Sequence, residues 1–409
     1  MRTGDLRQRL RDAPVPNEHE AGERGWRMAR AAFAERGPVR RGQSLPARLV
    51  VALAAVGLLL AIVLTPAGAK VVDLVSDVVR PGPKQATPLT ELPAPGRLLV
   101  ESPQGPWVVD RDGSQRLLGD YEDAGWSPNG LFVAVTAAHQ LSAVEPDGTP
   151  HWSLNRRHPV DPRWMPDTGI RVAYRTGSSM RVVGGDGIGD HELDPRVAPT
   201  APAWSPVPSL EQKINAEGVY GLALAKPDGR VEMVEPDSGN VLWSSEPGPV
   251  PRTLEWSADG SRLVALSAAE IRVFSADGRL LDTMALPGGM RATDGAFAPS
   301  GKSFAVTATS RSSHGAKSRA LLIDLGASQP ESRSLLTDPG TFSNVSWSPD
   351  GSWLLVAWRD ADAWLFLRPR HPGSVETTGG MSAQFSPGSG AAAAFPRPAG
   401  WCCTASGAG

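Results

Sequence analysis

The chain has 409 residues, 41% of them hydrophobic and 21% charged, with a formal net charge of −2. That balance supports a buried core and excludes the basic footprint of a nucleic-acid binder, so no nucleic acid is expected as a partner. Only two cysteines occur, Cys402 and Cys403, side by side. They offer neither a disulfide scaffold nor a Cys/His metal spacing, and no metal or cofactor is expected.

Residues 1–48 hold eleven arginines against six acidic residues. Asn17 and Glu20 stand as an N-cap and its capping-box partner, and Glu20–Arg24 and Glu23–Arg27 follow at i,i+4 spacing. A helix is expected to about Arg36, with Trp26, Ala29 and Phe33 forming a narrow apolar stripe. Trp26 and Phe33 are candidate docking residues for a cytoplasmic regulator; a solvated juxtamembrane helix is the plainer reading.

Residues 49–64 carry no charged side chain, and the apolar run extends to Ala69. At about 1.5 Å per residue such a helix crosses a hydrocarbon core of ~30 Å. Arg36, Arg40, Arg41 and Arg48 crowd its N-terminal side, while Lys70, Asp73 and Asp77 follow it. The positive-inside rule then puts the N-terminus in the cytoplasm and the rest of the chain outside. Cleavage after Ala67-Gly68-Ala69 is the rival, but it requires a leader of 48 residues before the apolar run. Residues 70–96 read as a short juxtamembrane helix followed by a stiff spacer with Pro81, Pro83, Pro88, Pro93 and Pro95.

From residue 97 a repeat takes over. Its clearest copy is Trp347-Ser348-Pro349-Asp350-Gly351, followed by an apolar run. Aromatic residues recur at the same place: Trp126, Trp164, Trp204, Trp256, Phe297, Trp347 and Phe385, at separations of 38, 40, 52, 41, 50 and 38. Each precedes a Pro- or Gly-containing turn and, in most copies, a short apolar segment, at 131–135, 170–174, 263–266, 304–306 and 354–357. A second segment then runs into a further turn, as at Asp237-Ser238-Gly239 and Asp277-Gly278. Asp-Gly between apolar runs signals a hairpin. A period of about 40 residues built of short strands is that of a β-propeller, because one such sheet cannot bury both its faces alone. The expected fold is all-β, a propeller of about seven blades, with six or eight as alternatives. It spans 97–404 and leaves 405–409 as a tail. Strands at 98–100 and 107–109 lack an anchor turn and the last anchor lacks room for a blade, so both chain ends are expected to share one.

These Trp-Ser-Pro-Asp-Gly turns resemble WD-repeat-like and TolB-type propeller repeats, and the resemblance implies an architecture rather than an activity. Two separations are long. One admits residues 207–218; the other admits 310–318, where Arg311, His314 and Lys317 make a candidate binding loop.

Catalytic signatures are absent: no Gly-x-Ser-x-Gly elbow and no His-Glu-x-x-His. Gly185-Asp186-Gly187-Ile188-Gly189 lies between strands with no helix after it and reads as a β-turn. Asp237-Ser238-Gly239-Asn240-Val241-Leu242-Trp243, and more loosely 145–152, resemble the turns of quinoprotein propellers, which can also carry a disulfide between adjacent cysteines. Those enzymes have eight blades and central calcium ligands, which this sequence does not display.

The expected function is therefore non-catalytic. It is a propeller anchored in the cytoplasmic membrane by one span, exposed to the cell envelope, binding a protein, peptide or glycan there. A transmembrane sensor controlling a cytoplasmic regulator through residues 1–48 is the alternative. Membrane-bound anti-sigma factors share that layout, but their His-x-x-x-Cys-x-x-Cys signature is missing.

Overall fold

The computed structural model describes residues 87–403 apart from 167–168, 209–219, 314, 328–329, 372 and 387–394. The expected N-terminal helix with Trp26 and Phe33, the span at 49–69, His314 and most of the 207–218 insertion lie outside the described residues. Among those described, no helix is long and apolar enough to cross a membrane.

Seven four-stranded antiparallel sheets make up the domain, one per blade. Six are continuous in sequence and begin with the inner strands Asp123–Trp126, Pro159–Trp164, Ala203–Trp204, Thr253–Trp256, Arg291–Phe297 and Phe342–Trp347. We number these blades one to six. In blade seven the C-terminal strand Arg397–Cys402 pairs with Arg97–Ser102, so the two ends of the domain close the ring in one sheet.

The repeated turn explains the regularity. In blades one, four and six the serine after the tryptophan accepts the backbone N–H five residues on (Phe132, Arg262 and Trp353) at 2.9–3.0 Å. The same hydroxyl donates to Asn129, Asp259 or Asp350 at 2.6–2.9 Å. Gly130, Gly260 and Gly351 sit at φ 66–68°, a region a Cβ disfavours. The turn thus fixes the register in which Trp126 faces Val133, Trp256 faces Leu263 and Trp347 faces Leu354. Each anchor leans toward the preceding blade. Trp204 and Trp347 donate their indole N–H to Arg163 O and Ala296 O of that blade's inner strand, at 2.9 and 3.0 Å.

Four expectations are corrected. Phe385 does not lie on an inner strand: it caps the single-turn helix Met381–Gln384 and is fully buried against Trp107 and Trp364, with ring centroids at 5.9 and 5.2 Å. The seventh anchor position belongs to Trp401, which faces Leu98, because ring closure supplies that inner strand from the far end of the chain. The second strands of blades one and two begin later than expected, at Val133 and Arg171, leaving Leu131 and Ile170 exposed in the turns.

Residues 310–318 are not a loop inserted between strands. They extend them, as Ser303–Ser312 and Gly315–Asp324, ten residues each, pair as a hairpin with Ser310 opposite Lys317. Finally, the last part of the proline-rich spacer belongs to the domain. Leu89, Leu92 and Ala94 are buried with Trp353, Trp364 and Trp401. Leu89 and Leu92 donate their backbone N–H to Gln384 Oε1 and Arg111 O at 3.1 and 2.8 Å.

Candidate functional site

The seven inner strands surround a central tunnel of about 570 Å³, lined from every blade. Alternation along a strand decides what faces it. With each anchor turned toward the preceding blade, the residues one and three positions before it turn toward the next. Those positions carry Gly125 and Asp123 in blade one, Arg163 and Asp161 in blade two, Glu255 and Thr253 in blade four, and Ala296 and Asp294 in blade five. The charged side chains of the ring's centre follow from this one rule.

The carboxylates stitch neighbouring blades. Asp123 accepts the Asp161 N–H at 2.6 Å, Glu255 the Phe297 N–H at 3.1 Å, and Asp294 the Val345 N–H at 3.1 Å. In blade seven, Glu101 accepts the Ala124 N–H at 3.2 Å and the Arg397 guanidinium at 2.8 Å. Every one of these bonds runs from an acid on one blade to the inner strand of the next, or holds the closing strand itself. Arg163 is exposed in the tunnel, donates to Pro162 O at 3.0 Å, and places a positive charge near Asp123, Glu255 and Asp294.

Enclosure sets the protonation of these groups. Desolvation pushes Glu255 up to about 8, with Asp294 adding repulsion and Arg163 and the Phe297 N–H opposing it. Desolvation likewise raises Asp294. Glu101 and Asp123 act as a pair. Burial and the Asp123 charge raise Glu101, which keeps the shared proton. Burial opposes ionisation of Asp123 too, but the hydrogen bond from Glu101, Arg163 and two backbone N–H groups hold it below its ordinary value. At neutral pH Glu255 and Glu101 therefore hold protons while Asp123 is ionised, and Arg163 sets an exposed guanidinium among them. Among the described residues no three His, Cys, Asp or Glu side chains gather as a metal site.

The residues singled out from the sequence are not brought together. Trp126, Trp164, Trp204, Trp256, Phe297 and Trp347 end their inner strands around the tunnel. Arg311 and Lys317 are exposed near the tip of the blade-five hairpin, and Phe385 lies in the core between blades six and seven. The two quinoprotein-like tryptophans each clamp the next blade: Trp152 donates to Gly185 O at 2.7 Å and Trp243 to Ala276 O at 3.0 Å. Gly185–Gly189 is a β-turn, with the Gly187 N–H on Gly184 O and the Ile188 N–H on Asp186. Cys402 and Cys403 form a disulfide between neighbours, their sulfurs 3.8 and 3.4 Å from Ser127 O and Pro128 O of the blade-one turn. The tunnel acids were missed because each looks like an isolated charge until the anchors define a common register.

The fold and this closure define a seven-bladed β-propeller. No protein-family model matches the chain, and no curated protein does. Among solved structures, it is similar to a chain of the mitotic checkpoint complex, with a TM-score of 0.51 at 16% identity over 71% of this chain and 94% of that one. It is also similar to a Bacteroides uniformis protein provisionally described as a 6-phosphogluconolactonase, with a TM-score of 0.50 at 18% identity over 69% and 95% of the two chains. At these identities the likeness is one of fold alone.

Proposed function

We propose that this protein is a non-catalytic binding module, held at the cytoplasmic membrane by residues 49–69 and presenting its propeller to the cell envelope. The observation that carries the binding role is the tunnel of about 570 Å³, which Arg163, Glu255 and Asp294 line from a frame tied blade to blade. Side chains held by such a frame keep their geometry without a ligand, so little ordering is lost on binding. The anchored placement rests on the uncharged run at 49–64 and the arginines before it. The ligand class is a protein, peptide or glycan of the envelope.

The test is photo-crosslinking in intact cells from a reactive residue placed at Ser346 in the tunnel of the full-length chain. The expected result is one envelope component attached to the propeller, lost when Arg163→Glu is added. A purified chain that converts a small metabolite, with turnover abolished by the same substitution, contradicts the non-catalytic reading.

A further inference from the structure

In these sheets the turns joining first to second and third to fourth strands all lie at one end of the ring. Among the described residues, every exposed large apolar side chain except Leu117 and Val250 lies in one of these turns or in the first two residues of the outer strand that leaves it, and all of these lie in blades one to four. Blades one and two contribute Leu131, Ile170 and Ile188, the last 72% exposed; blades three and four contribute Val241, Leu242 and Leu280. The arc is continuous because consecutive blades interlock there. Trp152 reaches the blade-two turn and Trp243 the blade-four turn, and Arg171 of blade two pairs with Asp237 of blade three. Between Ile170, Ile188, His191 and Asp237 the surface sinks into a cavity of about 790 Å³.

The charges of this arc are as uneven as its apolar residues. Its turns carry exposed Glu145, Asp147, Asp186, Asp259 and Asp277, besides the paired Asp237. Against them stand exposed Arg279 and half-buried Arg262, with Arg171 already paired. Hydrogen bonds within the turns, from Thr149 to Asp147 and from Ser275 to Asp277, hold these two carboxylates below their ordinary values, so they stay ionised. On the same face, blades five to seven set exposed Asp112, Asp324, Glu331 and Asp350 against exposed Lys302, Arg368, Arg370 and Arg111, a balanced mixture, and present, among the described residues, no exposed large apolar side chain. The first described residues, 87–96, pack between blades six and seven and leave the arc uncovered.

We infer that the turn face of blades one to four is a docking surface for a cationic amphipathic polypeptide segment, an apolar side chain entering the cavity beside Ile170 and Ile188 while Lys or Arg side chains meet the turn carboxylates. This rests on the binding-module reading and names the face and the partner's chemistry. Apolar contact supplies affinity, and the carboxylates select sign and orientation.

The experiment uses the full-length chain in zwitterionic nanodiscs, with empty nanodiscs as the blank. The probes are a fluorescent Lys/Leu amphipathic peptide of about 18 residues and its Glu/Leu counterpart, followed by anisotropy. The Lys/Leu peptide is expected to bind at least about tenfold more tightly than the Glu/Leu peptide, and more weakly as salt rises. Asp186→Lys with Asp277→Lys, and separately Ile188→Ser with Leu280→Ser, each weaken it about tenfold, while Asp112→Lys in blade seven does not; matching thermal unfolding shows that each variant is folded.

Equal binding of the two peptides, or binding that ignores the arc variants, overturns the inference. So does self-association of the chain that the arc variants abolish, which would make a second copy the occupant. Failure of the peptide alongside a surviving tunnel crosslink removes this partner class and leaves the binding-module reading standing.

Discussion

Replacing Glu255 by glutamine tests whether the tunnel acids hold protons at neutral pH. The amide that results keeps a carbonyl oxygen for the Phe297 N–H, now at 3.1 Å from the Glu255 carboxyl, but cannot ionise. The native carboxyl is pushed from an ordinary 4.5 up to about 8, so the folded chain holds a proton there that the unfolded chain releases. Stability from this group is therefore fully present below about pH 4.5 and declines as pH rises toward 8, where the folded state must also ionise. At ~1.4 kcal/mol per pH unit the full displacement corresponds to about 5 kcal/mol. Water in the open tunnel screens the group, and we expect about 1–2 kcal/mol to be expressed.

Thermal unfolding at pH 5, 7 and 8.5 measures it. Glu255→Gln should match the wild type within ~0.5 kcal/mol at pH 5 and exceed it by about 1–2 kcal/mol at pH 8.5, a Tm gain of roughly 2–6 °C. A constant difference at all three pH values, or a variant less stable at pH 8.5, refutes the reasoning.

Ring closure and blade packing give two more expected outcomes. Trp401→Ala removes the buried anchor of the closing strand, which packs edge-on against Phe366 at 5.9 Å. It should cost about 3–5 kcal/mol and increase cleavage between residues 97 and 123 in limited proteolysis. Asp190→Asn leaves Arg156 and Arg181 without the carboxylate they share with Tyr174, at a site where the Asp190 side chain is 3% exposed. Urea unfolding should show a loss of about 3 kcal/mol, because the buried carboxylate is the partner of both guanidinium groups.

Much of the architecture was legible because its physics is local. A serine, an acidic or amide side chain and a glycine after an aromatic residue close a turn by themselves, with or without the proline that Ala258 replaces in one copy, so Trp126, Trp256 and Trp347 each disclose a blade. Ring closure was legible from what the ends lacked, but the residue that completes it was not. Phe385-Ser386-Pro387-Gly388 resembles the repeat, yet Phe385 caps a helical turn, whereas Trp401 lacks the turn after it, since its hairpin partner begins the domain. Residues 310–318 look like a loop because Arg, Ser and Lys avoid cores, yet two strands can extend beyond a sheet's packed region, with Ser318 buried at the base and Arg311, Ser312 and Lys317 exposed beyond it.

Leu89, Leu92 and Ala94 were read through the prolines around them, although three spaced apolar residues suffice to seat a segment between blades. The tunnel charges demanded tertiary knowledge of another kind. Only when six anchors share one register do Asp123, Arg163, Glu255 and Asp294 fall on one surface.

The central claim, a propeller presented outside the cytoplasmic membrane by one N-terminal span, is tested most directly by topology reporters on the full-length chain. One fusion follows Gly409 and the other precedes Met1. The account predicts an extracytoplasmic signal from the first, a cytoplasmic signal from the second, and an intact protein in the membrane fraction. A cytoplasmic signal from the Gly409 fusion, or a shortened soluble protein outside the cell, contradicts it.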